Sequence, residues 1–262
     1  MPLFKFCKPE HHVDRPPTLR VGTLYGYRHI ENEELRDGAE GTYEFSLAFE
    51  GQVTLEKGLA NLLFGNTIGF GGPNPNIGVP GFRSSIEGPA TLTFSNVTDH
   101  SVTIGDVRVK VSRSVENCLI FCMSKIETAE ECAFTGYSDH WHIREDAAQQ
   151  FADRLGNALF DNVKLSSFAG DFAAHHSAKT IRENLGMFWS HRPVQYRDRV
   201  LHVRPDNVPS MADVMEIVNN LEFIKPAEFA AEREYRFTFR LNDTVRQFPP
   251  VEPVDVPVRF IA

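Results

Sequence analysis

One stretch limits what this chain can fold into more than any other: Glu232-Arg233-Glu234-Tyr235-Arg236-Phe237-Thr238-Phe239-Arg240. Read as an extended strand, it puts Tyr235, Phe237, Phe239 and Leu241 on one face. Glu232, Glu234, Arg236, Thr238 and Arg240 fall on the other. The aromatic face requires a core to pack against. The polar face holds two carboxylates two residues apart, which by the usual logic of antiparallel sheets belongs in solvent. Its meaning depends on which other segments come beside it.

The bulk of the chain suits a globular core. It has 262 residues, 42% of them hydrophobic and 24% charged, and 21 are Phe. The formal net charge of -8 argues against the broad basic surface of a general nucleic-acid binder. No apolar run is long enough to span a bilayer, and the first residues, Met1 to Lys8, lack the apolar centre of a signal peptide. The expected location is cytoplasmic, without membrane attachment. Cys118 and Cys122 would share a strand face too far apart to bond. With only Cys7 and Cys132 beside them, all four read as free thiols rather than a zinc site.

Strands and helices are interspersed without strict alternation. The expected fold class is therefore α+β, with a mixed or antiparallel sheet as its core. Residues 18–28 alternate as a strand, and 31–41 read as a polar loop with specific contacts through Arg36, Asp37 and Glu40. Residues 50–116 read as a β-rich insertion in a single domain spanning 1–262. The insertion contains the Gly/Pro-rich loop Gly65–Gly81 and a hairpin turning at Gly105-Asp106. That loop lacks the Gly-Lys-Ser/Thr ending of a phosphate loop. Leu119–Ser124 is an apolar strand. Helices are expected over Glu145–Phe160, within Phe168–Phe188, and after a capping box at Ser210 with Asp213. Phe248–Ala262 reads as an extended tail on the surface.

Three of these strands share a design, with one apolar face and a few polar groups on the other. The polar groups are Arg20 and Gly22 on the first, Ser124 on the second, and Glu232 with Glu234 on the third. Leu19-Arg20-Val21-Gly22-Thr23, Cys122-Met123-Ser124 and Glu232-Arg233-Glu234-Tyr235 together resemble the Arg, Ser and Glu-x-Glu motifs of ADP-ribosyltransferases of the Arg-Ser-Glu class. The resemblance implies that fold, with NAD as substrate lying across a cleft between two sheets. Arg20, Gly22, Thr23 and Ser124 would then bind NAD, with the glycine admitting the nicotinamide amide close to the backbone. Glu234 would be the catalytic carboxylate and Glu232 the acceptor-side one. Tyr137, following Gly136, is a further ligand-facing aromatic. The central motif has one serine where the class usually has Ser-Thr-Ser. The segments Thr23–Gly41 with Arg36-Asp37 and Glu40-Gly41, Leu119–Ser124, Tyr137–Ile143, and Phe229–Phe239 with Glu234-Tyr235-Arg236, which span most of the chain outside residues 50–116, also resemble a large bacterial family of undetermined function, several of whose members are linked to phage defence. That likeness implies a bacterial or phage origin; with the motifs, the expected function is that of a toxin or anti-phage effector that modifies a macromolecular acceptor, protein or nucleic acid, with an antitoxin or chaperone as candidate partner.

Two other readings stand beside it. One is a non-catalytic sensor or binding protein whose recognition surface is the insertion. The other is a metal-dependent nuclease using Glu232, Glu234 and Asp139 as magnesium ligands. His140 and His142 share a strand face and form a metal-binding pair only if a third ligand joins them. His175 and His176 read as solvent-facing.

Overall fold

The computed structural model describes residues 1–15, 17–29, 36–65, 67–72, 82–132, 134–164, 183–243 and 247–258. In chain order the strands are β1 (Pro2–Cys7), β2 (Thr18–Thr23), β3 (Thr42–Glu56), β4 (Phe82–Val97), β5 (Ser101–Val115), β6 (Leu119–Lys125), β7 (Asp139–Arg144), β8 (Gly186–Pro193), β9 (Gln195–Tyr196), β10 (Val200–Val203), β11 (Ile224–Lys225), β12 (Glu234–Asn242), β13 (Gln247–Phe248) and β14 (Val254–Pro257). The α-helices are α1 (Lys57–Leu63), α2 (Ala148–Asn162) and α3 (Met211–Val218). The class is α+β with largely antiparallel sheets. No helix among the described residues is long and apolar enough to cross a membrane.

The chain divides into two compact units. The first comprises residues 1–40, 116–196 and 225–262, and the second 41–115 and 197–224. The second unit thus extends beyond the expected 50–116 insertion at its start and takes in a later segment as well.

The first unit is built on a sheet running β13-β12-β6-β1-β7, with β8 on β12 and β2 on β6. β12 lies between β6 and β8 and is buried on both faces. Its aromatic face, Tyr235, Phe237, Phe239 and Leu241, packs with Leu119, Phe121 and Met123 of β6 and with Phe151, Leu155 and Leu159 of α2. The spacing Ala148, Phe151, Ala152, Leu155, Ala158, Leu159 gives α2 one apolar stripe against the sheet. Trp189 of β8 lies on Gly156, where a Cβ would stand 2.5 Å from its ring. The indole Nε1 donates to Asp153 Oδ1 at 2.9 Å.

Several expectations about single elements change. β2 ends at Thr23, and residues 25–28 form a 3-10 turn, so Tyr25 and Tyr27 do not continue its alternation. Gly26 N donates to Thr23 Oγ1, which closes that turn. The end of the chain is not a surface tail: β14 pairs with β2, and Val254 and Val256 join the core. Of the helix expected within 168–188, residues 168–182 lie outside the described residues, as do His175 and His176, and Gly186 onward is strand β8. The Gly/Pro-rich loop also falls largely outside them, at 66 and 73–81.

The second unit holds a sheet in the order β10-β3-β5-β4. β3 and β5 are long, and the hairpin expected at Gly105-Asp106 is an irregularity inside β5. Gly51 (φ 83°) and Asp106 (φ 47°) both adopt left-handed backbone there. Gly51 N donates to Asp106 Oδ1, so the register shifts locally and the strands continue. α3 starts as anticipated, with Ser210 Oγ accepting from Asp213 N and the Asp213 carboxylate accepting from Ser210 N.

Candidate active site

A split in the first unit's sheet makes room for a site. On one edge, β6 is paired continuously with β12, from Leu119 opposite Phe239 to Ser124 opposite Glu234. On the other edge two strands share it. β1 pairs with Ser124 and Lys125, and β2 with Leu119 and Ile120. Phe121, Cys122 and Met123 have no strand partner on that side in these pairings. A cavity of about 580 Å³ opens there, lined by β1, β2, the end of β6, the start of β12 and side chains of neighbouring segments.

This cavity brings together most of the residues singled out from the sequence. Arg20, Ser124, Tyr137, Glu232 and Glu234 all line it. Ser124 and Glu234 are cross-strand partners, a placement that holds Cβ atoms about 4.5–5.5 Å apart on one face. Arg20 is exposed on β2, on the same side as Gly22, and is the Cα partner of Asp255 on β14. Gly22 and Thr23 do not line the cavity. Gly22 lies against Tyr27, which does line it, and Thr23 is buried in the turn it caps. Asp139 is also outside it, so the three carboxylates of the magnesium-nuclease reading do not share a site. His140 and His142 pack against Phe4, at ring-centroid distances of 5.4 and 5.3 Å. Among the described residues no group of three His, Cys, Asp or Glu side chains is placed to hold a metal.

The polar face of β12 is buried rather than solvated. Glu232 is not part of that strand. It ends a 3-10 turn, Ala227–Glu232, and Arg233 follows with left-handed backbone at φ 45°. That residue is fixed by its carbonyl, which accepts from Lys125 N at 2.8 Å, and by a guanidinium paired with Glu131. Glu234 is held through its backbone as well. Its N–H donates to Tyr196 Oη at 2.6 Å, and its carbonyl accepts from Val194 N at 2.9 Å.

The two glutamates belong to a buried chain of charges. Lys225 Nζ lies 2.6 Å from Glu232 Oε2 and 3.3 Å from Glu234 Oε2. Arg236 Nε lies 2.6 Å from Glu234 Oε1, and its other end is 2.9 Å from Glu40 Oε1. Burial pushes the Glu234 carboxyl up, but Arg236 and Lys225 outweigh it and hold the group well below the carboxylate range. Glu232 has one cation to Glu234's two. Burial raises it, Lys225 opposes, and the Glu234 charge adds to the rise, so its pKa is pushed up to about 7. Glu232 Oε1 meets no donor among the described residues. A proton on Glu232 directed at Glu234 would satisfy both groups. One carboxylate is thus fixed as an anion beside a carboxyl poised to exchange a proton near neutrality, the division of roles that acid–base sites use.

The network contains what the motifs did not indicate. Arg236 shares a strand face with Glu234, a spacing visible in the sequence. In the sequence Glu40 reads only as part of a polar loop, and no local signal connects Lys225 to the site.

Compared with known proteins, the chain matches no protein-family model, and neither the curated proteins nor the solved structures give a significant match.

Proposed function

We propose that the protein is an ADP-ribosyltransferase-type enzyme that cleaves NAD and passes ADP-ribose to a macromolecular acceptor. The observation that carries this is the meeting of Arg20, Ser124, Glu232 and Glu234 on one cavity at the split of a sheet, with Ser124 and Glu234 in direct register. The α+β core fits the fold that the motif resemblance implies. A toxin or anti-phage role, acting in the cytoplasm under the control of a partner, belongs to the same proposal.

In this reading Arg20 holds the phosphates and Ser124 positions the nicotinamide ribose. The bond between ribose C1 and nicotinamide nitrogen breaks, and its electron pair leaves with neutral nicotinamide. Glu234, fixed as an anion, accepts from the ribose 2'-hydroxyl and stabilises the cationic centre left at C1. An acceptor nucleophile then bonds to C1, and its proton passes to Glu232 once that carboxyl is ionised. Tyr137 contributes an aromatic wall beside Phe134, their rings 6.1 Å apart.

The test is release of nicotinamide from NAD, followed chromatographically, together with transfer of labelled ADP-ribose to protein and nucleic-acid acceptors. The wild type is expected to release nicotinamide. Arg20→Ala, an exposed change, is expected to raise KM without loss of fold. Ser124→Ala and Glu234→Gln are expected to lower kcat, the latter by about two to three powers of ten. Wild-type protein inert towards NAD with acceptors present, or a fully active folded Glu234→Gln, would remove the proposal.

A further inference from the structure

Lys5 occupies the crotch of the split sheet. β1 leaves β6 after Phe4 pairs with Ser124, and β2 joins β6 only at Ile120. Between them the Cys122 carbonyl lacks a strand donor on that edge, and Lys5 Nζ supplies one at 2.9 Å. The ammonium also lies 4.6 Å from the Phe121 ring centroid. These two contacts fix the ammonium position while engaging one of its three N–H groups. Its remaining donors have no other hydrogen-bond partner among the described residues, and the side chain lines the cavity.

The cavity is polarised. Lys5, Lys8 and Arg20 line the walls made by β1, the turn after it and β2, with the Asp255 carboxylate of β14 beside Arg20, while Glu232 and Glu234 line the wall at the start of β12, paired with Lys225. A ligand that satisfies both walls carries an anion at one end and hydroxyl donors at the other. Burial draws the Lys5 pKa below its ordinary value, against the attraction of the Glu234 carboxylate, which is the behaviour of a cation that a bound anion would relieve.

We propose that Lys5 is a ligand-binding residue whose ammonium contacts a phosphate oxygen of a diphosphate-bearing nucleotide, working with Arg20 from the facing strand. The inference rests on the NAD reading for the identity of the nucleotide, but the anion site itself follows from the cavity.

Calorimetric titration of the full chain with ADP-ribose, inorganic pyrophosphate and nicotinamide separates the two. Lys5→Met is expected to weaken ADP-ribose and pyrophosphate by about tenfold or more, the scale of one charge-assisted hydrogen bond. Nicotinamide binding is expected to stay within about twofold. Lys5→Gln, which keeps a donor for the Cys122 carbonyl but not the charge, is expected to show the same loss and decides the matter if Lys5→Met does not fold. Unchanged pyrophosphate and ADP-ribose affinity in a folded neutral variant overturns the Lys5 assignment and leaves the NAD reading standing. Charge-dependent pyrophosphate binding in a protein that never releases nicotinamide upholds Lys5 and overturns the NAD reading. A wild type that binds neither anion overturns the Lys5 assignment directly.

Discussion

Glu232 and Glu234 are chemically identical, two residues apart, and displaced in opposite directions. Two cations touch Glu234 and one touches Glu232. The consequence for stability follows from the sign of each displacement. Glu232 moves from 4.5 to about 7. A raised carboxyl favours the folded state fully below its unfolded value, and that contribution is lost as pH rises through about 7. Glu234 moves the other way, so its contribution is present above 4.5 and lost as pH falls below it. Between about pH 5 and pH 8 only Glu232 of the pair titrates. The melting temperature of the wild type is therefore expected to fall across that interval relative to Glu232→Gln. Parallel curves for the two proteins would contradict the assigned protonation. The same ionisation makes Glu232 a competent base, so ADP-ribose transfer is expected to rise with pH through about 7. Removing the charge at Glu234 leaves Lys225 and Arg236 short of an anion. Breaking such a buried pair typically costs about 3–5 kcal/mol, so Glu234→Gln is expected to melt earlier as well as to lose activity, and its kinetics must be measured well below its own transition.

At the scale of elements, the contact between α2 and β8 is the tightest test of packing. A methyl group at Gly156 has no space, since Trp189 lies across it and is tethered by Asp153. Gly156→Ala is expected to destabilise by about 1–3 kcal/mol through overpacking, with a shift in Trp189 fluorescence as the indole is displaced. Unchanged stability and emission would mean that the helix and strand are not in this contact. α2 and α3 were legible because their apolar spacing and the Ser210 cap are local signals, and the aromatic face of β12 was legible because its period is two. Other elements were not. Gly105-Asp106 is turn chemistry by composition, yet paired neighbours on both sides turned it into a bulge. The proline-rich end of the chain looks like surface, yet Val254 and Val256 complete the core once β2 offers an edge. The polar face of β12 looked solvated because nothing near it in sequence indicates that Lys225 and Glu40 cover it.

Across the whole chain, the candidate site was readable only as far as short motifs go. Arg20, Ser124 and the two glutamates could be named from their order, and the structure gathers them on one cavity. What sets their chemistry is long-range. Arg236 meets Glu40 from 196 residues away, and Lys5 reaches Cys122 from 117 residues away. No local pattern encodes such pairs, since tertiary pairing alone fixes which charges neutralise each other. On the proposed function this cavity receives NAD with its nicotinamide ribose at Ser124 and Glu234 and its phosphates at Arg20 and Lys5. The most direct measurement is a crystal structure with a hydrolysis-resistant NAD analogue. The ribose 2'-hydroxyl is expected within hydrogen-bond distance of a Glu234 carboxylate oxygen, and the diphosphate between the two cations. An analogue bound away from this cavity, or a cavity left unchanged at saturating analogue, would contradict it.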